Sequence, residues 1–427
     1  MPRLLPPSPS LEQLHKQAKD LSKARKAGDA SVCAVLRHIP ALAKVPDEQI
    51  LATDVPLQDV QHALAREYGF VGWSQLKHHV ESMGGGDRPI TAPVPVARQN
   101  GRVWIEPFEE LRWDWTQTNS TLRCWAIIYQ TLGLDITYAD LMGVTGMAFR
   151  LQLHEQWCGS SPHLICGWRG GENLLIQASP FQIVGIGVRA DDPESVETAR
   201  QRIRDSIDRG IPVITSSEED GLIVAYEDEG RMLIWHNYFK MGRPQWERMD
   251  KWPWGVGLLE RRPIPPDRPA CYRASLQAAV NLWSTARFGD YHSGQAAYEK
   301  WVRELREEDR FAALDEKALR RLAHNNAHIY ESLYRARRCA VEYLDRITDA
   351  FGPEQQADLR RARELYAEVA ALLGGADRPT VVAPYPHNWK PGETWTQEQR
   401  LRQASNLEQA QRLEVQAVET LRHLLTQ

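Results

Sequence analysis

The sequence predicts an α+β protein in which a central region of helices and antiparallel strands is flanked by helical segments. Residues 101–263 show helical periodicity first, followed by short β-branched and apolar runs separated by turn residues. Residues 11–83 and 264–427 have the apolar spacing of helices. Stretches rich in glycine and proline separate the three regions, so the order of elements predicts both the fold class and the domain organisation.

Length, composition and charge narrow the function classes. A chain of 427 residues is expected to form two or three domains. It has no apolar run long enough to span a membrane, and its first residues, MPRLLPPSPS, lack the apolar core of a signal peptide. We therefore expect a cytoplasmic protein with no membrane partner. Residues 101–263 carry 17 basic and 23 acidic side chains, a balance that argues against nucleic acid as a partner.

Residues 1–86 are expected to form a small helical module. The stretch LEQLHKQAKDLSKARKAGD has apolar residues at helical spacing and ends near Gly28. Further helices are predicted at 31–43, 60–68 and 73–83. LEQLHKQAKDL and REYGFVGWSQLKHHVE resemble the helical module that precedes ankyrin repeats in many bacterial proteins, although no ankyrin period follows here. The resemblance implies a unit that docks a protein partner.

The central domain is predicted to begin after a linker at residues 87–100, which is poor in large apolar side chains. Helices are expected at 120–132, from Tyr138, and at 193–209, and strands at 212–217, 221–227, 231–239 and 254–262. Asp228–Gly230 is a hairpin turn signal between two of these strands. Helices first and antiparallel strands afterwards are typical of an α+β domain.

The C-terminal region, residues 264–427, is expected to be a helical bundle. Periodic apolar segments cover 271–287, 293–308, 315–347, 354–373 and 396–425. Between the last two lies the insertion DRPTVVAPYPHNWKPGETW, which is rich in proline and tryptophan. We predict that it packs across the bundle as an ordered loop.

Cys124 is the strongest candidate for chemistry. In TQTNSTLRCWAIIYQTLG, Asn119 or Ser120 is a natural N-cap, which is expected to place Cys124 in the first turn of a helix. The helix dipole and the exposed N–H groups lower the pKa of a thiol at such a position. Gln117 could direct an amide to the same point as an oxyanion donor. The alternative is a structural cysteine on a buried apolar face.

The order of motifs extends this interpretation. YADLMGVTGMAFRLQL, WCGSSP, ETARQRIRDSIDRGIPVI and GLIVAYEDEGRMLIWHNYF resemble, in that order, the butirosin-H-like and C39-like branch of the papain-fold proteins. The likeness covers about 150 residues of 101–263 and extends toward YHSGQAAYEKW in the C-terminal region. The resemblance implies a papain-like central domain with Cys124 as nucleophile, and acyl transfer or peptide cleavage through a cysteine thioester. It implies no cofactor and no metal.

One departure from the pattern is decisive for function. The histidine that opens the family's catalytic strand is replaced here by Gly221, and a thiol nucleophile needs a base within hydrogen-bond reach. If the hairpin turns near Glu229, Asn237 takes roughly the place of the family's orienting residue, whereas His236 faces the other side unless a β-bulge shifts the register. His236 is therefore one candidate base, and His154 and His163 are others.

Several residues are candidates for substrate contacts. Trp125 follows the cysteine, Gly221 leaves room in the groove, and Trp235 lies on the neighbouring predicted strand. Arg150 either binds a carboxylate or phosphate or pairs with an acidic neighbour. The acidic run at 218–220 is either a solvated loop or a patch that selects cationic substrates.

Cys158 and Cys166 flank His163, but the chain has no CxxC pair, so reduced thiols are favoured over a metal site.

Two functions from different classes remain open on the sequence. The first is an acyltransferase or amidohydrolase that uses Cys124 with an unusual base, with a small molecule or peptide as substrate. The second is a catalytically inactive papain-fold protein that binds a small ligand or peptide, with its helical ends docking a partner. A third possibility is an adaptor whose middle region is only a scaffold.

Overall fold

The structure is a computed structural model. It describes residues 11–39, 42–43, 45–68, 73, 76, 95–106, 111, 117–189, 191–216, 220–237, 247–249, 252–253, 255–262, 264–374 and 382–427, with His236 and Asn237 described by their backbone alone. The chain divides into two compact units, Met1–Thr91 and Ala92–Gln427. The second unit contains both the predicted central domain and the predicted helical bundle.

The first unit is helical, as predicted. Its helices are α1 (Leu11–Lys26), α2 (Cys33–Leu36), α3 (Asp47–Ala52) and α4 (Leu57–Glu67). Leu14, Leu36, Ile50 and Val60 are among the buried residues of one apolar core. The helix predicted at 31–43 is much shorter than expected: it ends at Leu36, because Pro40 cannot donate to a helix and disfavours helical geometry before it. Of the helix predicted at 73–83, Trp73 and Leu76 are helical and the rest lies outside the described residues.

The second unit contains an antiparallel sheet, so the predicted α+β class is confirmed. Its strands are β1 (Val96–Gln99), β2 (Arg102–Ile105), β4 (Phe181–Ile186), β5 (Val213–Ser216), β6 (Asp220–Glu227), β7 (Met232–Asn237), β8 (Glu247–Arg248) and β9 (Gly255–Arg261). The strand order is β1-β2-β6-β5-β9-β4. β2 and β5 pair with different parts of one edge of β6, β7 pairs along its opposite edge, and β8 pairs with β7. Because β1 covers Val96–Gln99, the end of the linker predicted at 87–100 belongs to the sheet.

A second, three-stranded sheet joins distant parts of the chain. β3 (Gln152–His154) pairs with β11 (Tyr291–Ser293), which pairs with β10 (Arg287–Phe288). β3 comes from the predicted central domain, and its partners come from the predicted C-terminal region. The two regions therefore share backbone hydrogen bonds.

Helices of the second unit pack on the sheets and on one another. They are α5 (Ser120–Thr131), α6 (Tyr138–Val144), α7 (Gly170–Ala178), α8 (Pro193–Asp208), α9 (Arg268–Ser284), α10 (Gly294–Arg306), α11 (Glu308–Ala312), α12 (Glu316–Ile347), α13 (Pro353–Gly374) and α14 (Gln397–Thr426). Side-chain caps explain where three of them begin: Asp267, Asp315 and Thr396 each accept a backbone N–H from the first turn. The five predicted C-terminal helices are all present.

The 32-residue helix α12 connects the bundle with the remainder of the second unit. It packs against α13 and also against α6. Residues 382–395 of the insertion predicted as an ordered loop bury Tyr385 and Trp395. Within the described part of the chain, no helix has the length and apolar character needed to cross a membrane.

Candidate functional site

Cys124 lies deeper in its helix than the sequence predicts. The predicted N-cap is confirmed: the side chain of Asn119 accepts the N–H of Leu122 at 3.0 Å. Counting from this cap, Cys124 is the fifth residue of α5 and lies at the start of the second turn, one position beyond the predicted first turn. Its exposed fraction is 0%. The first turn instead begins with the hydroxyl residues Ser120 and Thr121, because the cap falls at the earlier of the two candidate residues.

A carboxylate bridges the start of α5 to the sheet. The Thr121 hydroxyl donates to one oxygen of Asp220, and the Ser216 hydroxyl donates to the other. Asp220 is the first residue of β6 and directly precedes Gly221. The bridge thus joins the amino end of α5 to the strand on which the family pattern expects its histidine. Asp220 is half-buried and hydrogen-bonded, unlike a residue of a solvated loop. The other acidic residues of the predicted run, 218 and 219, lie outside the described residues.

The register of the hairpin places Asn237 as predicted. Gly221 pairs with Asn237, and Leu222 pairs with His236. The structure does contain a β-bulge, between Ile223 and Ala225, and it shifts the pairing of the residues beyond it by one position. With that shift, Asn237 is the partner of Gly221, and His236 lies one position away from it. Trp235 is half-buried, and its backbone pairs with Ile223.

Two other candidate bases belong to the region of the small sheet. The ring of His154 lies edge-on to Tyr291 with centroids 5.0 Å apart, and its Nδ1 accepts the N–H of Gln156 at 3.1 Å. His163 lies in the loop after β3, where its carbonyl accepts a hydrogen bond from Arg150 at 2.6 Å. These contacts orient both residues within their own loop.

The thiols of this loop are half-buried. Cys158 Sγ lies 2.9 Å from the Ser160 hydroxyl, and neither Cys158 nor Cys166 forms a disulfide. In the described ranges, no cluster of three His, Cys, Asp or Glu side chains has the arrangement of a metal site.

Trp125, for which the sequence predicts a substrate contact, is a core residue in the structure. Its exposed fraction is 1%, and its ring packs at 5.4 Å on that of Tyr129. A tryptophan on an apolar helix can either line a groove or pack in the core. Trp125 packs in the core because α5 lies against the sheet. Gln117 is half-buried in the segment that leads into the helix.

Arg150 has a role that neither sequence interpretation anticipated. It is buried, and its two terminal nitrogens donate to four carbonyls: Ser161 at 3.2 Å, His163 at 2.6 Å, Cys166 at 3.2 Å and Trp168 at 3.5 Å. No described carboxylate forms an ion pair with it. Because burial disfavours the charged form, the pKa of Arg150 falls to about 10. Arg150 therefore holds the loop at 158–168 in place.

Replacing Arg150 with lysine is expected to loosen this loop. A single ammonium group cannot reach carbonyls spread around a planar guanidinium, so we expect about tenfold faster alkylation of Cys166 as local opening becomes easier. Peptide-resolved mass spectrometry after timed iodoacetamide treatment measures the rate. Cys271 is also half-buried but lies on α9, and its rate should stay constant. An unchanged rate at Cys166 would contradict the role assigned to Arg150.

A small cavity lies beside the start of α5. About 30 Å³ inside it admits the centres of water molecules, which is room for two or three waters. Its polar lining comes from Thr118, Asn119, Arg150, Gln152 and Ser332. Its apolar lining includes Met142, Met147, Leu151, Ile329, Leu333 and Ala336. Thr118 and Pro162 are half-buried and form the part of the lining that reaches solvent.

Two comparisons with known proteins found no match for this chain. No protein-family model matches the chain, and a search of curated proteins finds no significant match. The resemblance to papain-fold families thus remains a prediction from the motifs.

Several residues at the site were missed from the sequence. Ser216 and its acceptor Asp220 face each other in the β5–β6 hairpin, whereas Thr121 becomes a neighbour of Asp220 only when α5 packs on β6. Ser332 is more than 180 residues from Arg150 in the chain. No local pattern places it in the same cavity.

Proposed function

We propose that this chain is a papain-fold protein that binds a small ligand and does not use Cys124 for catalysis. The observation that carries the proposal is the complete burial of Cys124 in the second turn of α5. A cysteine nucleophile must reach its substrate and a base at the same time. A thiol with no exposed surface, one turn inside the helix, does not meet the first of these requirements without rearrangement.

The bridge at the start of α5 supports the same conclusion. In a papain-type site, the first turn of the helix and the adjacent strand carry a nucleophile and a base. Here the corresponding elements are tied together by Thr121, Asp220 and Ser216. A carboxylate that already accepts two hydroxyl hydrogens is a structural link. The cavity next to this bridge combines a few polar groups with an apolar lining, which is the usual character of a ligand site.

The proposal predicts the order in which cysteines react in the native protein. Iodoacetamide should modify the half-buried Cys158 and Cys166 first, and Cys124 at least about 100-fold more slowly, because its alkylation requires local opening. Peptide-resolved mass spectrometry follows each site separately. Cys339, buried on α12 with its pKa raised to about 12 by burial, is the matched buried control.

Unfolding should remove the difference between these cysteines. In denaturant, Cys124 and Cys339 should react as readily as the other thiols. Rapid native labelling of Cys124, lost in a Cys124→Ser variant and faster than that of Cys158, would refute the proposal. It would favour the cysteine enzyme instead.

The enzyme remains the second candidate because of one observation. Asn237 is the backbone partner of Gly221, the position that the resemblance requires for an orienting residue. If Cys124 proves reactive, a His236→Ala variant is the next test. Loss of Cys124 labelling in that variant would identify the replacement base.

A further inference from the structure

We infer that the cavity between α5, α6 and α12 binds the carboxylate of a short aliphatic acid. This inference rests on the proposed function, because it names the ligand class of the same site. The residues that carry it are Arg150, Ser332 and the methionine and leucine side chains around them.

Ser332 provides an unused hydrogen-bond donor. The residue is 6% exposed and lines the cavity from α12. Its hydroxyl has no hydrogen-bond partner among the described residues. A hydroxyl in the interior of a helix commonly donates to the carbonyl one turn earlier, so a buried one without that bond needs another acceptor. A ligand oxygen in the cavity would supply it.

Arg150 gives the cavity its charge preference. Its terminal nitrogens donate to loop carbonyls, which carry no net charge. The nearby cation Arg337, which donates to the carbonyls of Ala148 and Arg150, is paired with Glu414. Arg150 thus remains as a buried positive charge without a carboxylate among the described residues. An anion in the cavity would compensate it.

The start of α5 favours the same sign of charge. The cavity lining includes Thr118 and the N-cap Asn119. The amino end of a helix attracts anions through its dipole and its unpaired N–H groups. Three features from different parts of the chain therefore favour a negative ligand group at one place.

The size and the apolar lining specify the rest of the ligand. Room for two or three waters corresponds to roughly 60–90 Å³ of liquid volume, which suits a carboxylate with one methyl group, and the side that reaches solvent at Thr118 and Pro162 leaves room for one further carbon. Met142, Met147, Ile329 and Leu333 would contact an alkyl chain. Inorganic phosphate would bring charged oxygens against these side chains, so it fits the lining less well.

Ligand-detected NMR titrations of the full chain test the inference directly. Propionate should bind saturably, and propionamide and propylammonium should bind at least about tenfold more weakly, because they lack the negative charge. All titrations are made at constant ionic strength with chloride as the balancing anion. This comparison uses the unaltered protein and does not depend on whether a variant folds.

Two variants locate the bound acid. Ser332→Ala should weaken propionate binding about tenfold through loss of a charge-assisted hydrogen bond, and Ser332→Leu should abolish it by filling the cavity. Ser275→Ala is the matched control, since Ser275 is a buried serine whose hydroxyl bonds Tyr343 away from this cavity. It should leave the dissociation constant unchanged.

The outcomes separate the two proposals. Equal binding of propionamide and propionate would overturn the preference for acids while leaving a ligand-binding protein. Propionate binding that Ser332→Leu leaves intact would place the acid elsewhere and overturn the inference. Absence of saturable binding by all three probes would also overturn it. The Cys124 labelling experiment decides separately whether the protein is a cysteine enzyme.

Discussion

Replacing Glu414 with glutamine is expected to lower the free energy of unfolding of the second unit by about 3–5 kcal/mol. Glu414 lies on α14 and accepts two hydrogen bonds from Arg337 on α12, at 2.5 and 2.8 Å. The exposed fractions of the two side chains are 1% and 0%. Neutralising one member of such a pair leaves an uncompensated charge in the interior.

The contacts around this pair explain why the expected effect is large. Tyr298 donates to Glu414 at 2.8 Å, and Arg337 also donates to the carbonyls of Ala148 and Arg150 at 3.0 and 3.2 Å. The pair therefore joins three helices and the segment that leads to the cavity. Burial is the largest single influence on the pKa of Arg337 and lowers it, but the charge and hydrogen bonds of Glu414, together with nearby tyrosines, raise this pKa above its usual value. Without that charge, no other described carboxylate pairs with the guanidinium.

The chain offers a matched control on the same helix. Glu408 on α14 also accepts two hydrogen bonds from an arginine, Arg306, both at 2.7 Å. Its side chain is 33% exposed and that of Arg306 is 45% exposed. Glu408→Gln should cost less than about 1 kcal/mol because solvent screens the pair.

Alkylation of Cys339 during urea titration is a suitable measurement. Cys339 is buried on α12, two residues from Arg337, so its reactivity reports unfolding of the second unit without a contribution from the first. Equal losses for Glu414→Gln and Glu408→Gln would contradict the assignment of the buried pair as the stronger link.

Helices and the main strands were predictable because their signals are local. The N-cap at Asn119, the turn at 228–230 and the periodicity of α12 each depend on residues close in sequence. The pairing of Gly221 with Asn237 depends on the turn together with the β-bulge between Ile223 and Ala225. The strands β3, β8, β10 and β11 were missed because two or three residues carry no period. The longer strands β1, β2 and β4 were missed as well.

The site was harder to predict because its geometry depends on packing. One residue of difference in the cap moves Cys124 from the exposed first turn to the buried second turn. The sequence predicts that Arg150 either binds a carboxylate or phosphate or pairs with an acidic neighbour, yet four loop carbonyls accept its hydrogen bonds. A sequence does not show which backbone groups a loop turns inward. The bridge at Asp220 and the hydroxyl of Ser332 depend on contacts between distant segments. These residues, more than Cys124, define what the site can bind.

Replacing Gly143 with alanine is expected to destabilise the second unit by about 3 kcal/mol, at the upper end for overpacking. Gly143 lies on α6, and a Cβ there would fall 1.9 Å from Cγ of Tyr343 on α12. The ring cannot easily move. Its hydroxyl bonds Ser275 at 2.7 Å, and the rings of Phe149 and Tyr272 pack against it. Alanine favours a helix over glycine by about 1 kcal/mol, but the steric conflict outweighs that gain.

Two further variants test whether close packing of α6 on α12 is the cause. Gly185→Ala, at a strand position where a Cβ meets nothing within 4 Å, should change stability by less than about 0.5 kcal/mol. Tyr343→Ala removes Cγ together with the ring, so the cost of Gly143→Ala should largely disappear in the double variant. Urea titration with Cys339 alkylation measures all four proteins. Additive losses in the double variant would show that the contact between Gly143 and Tyr343 does not limit how closely these helices pack.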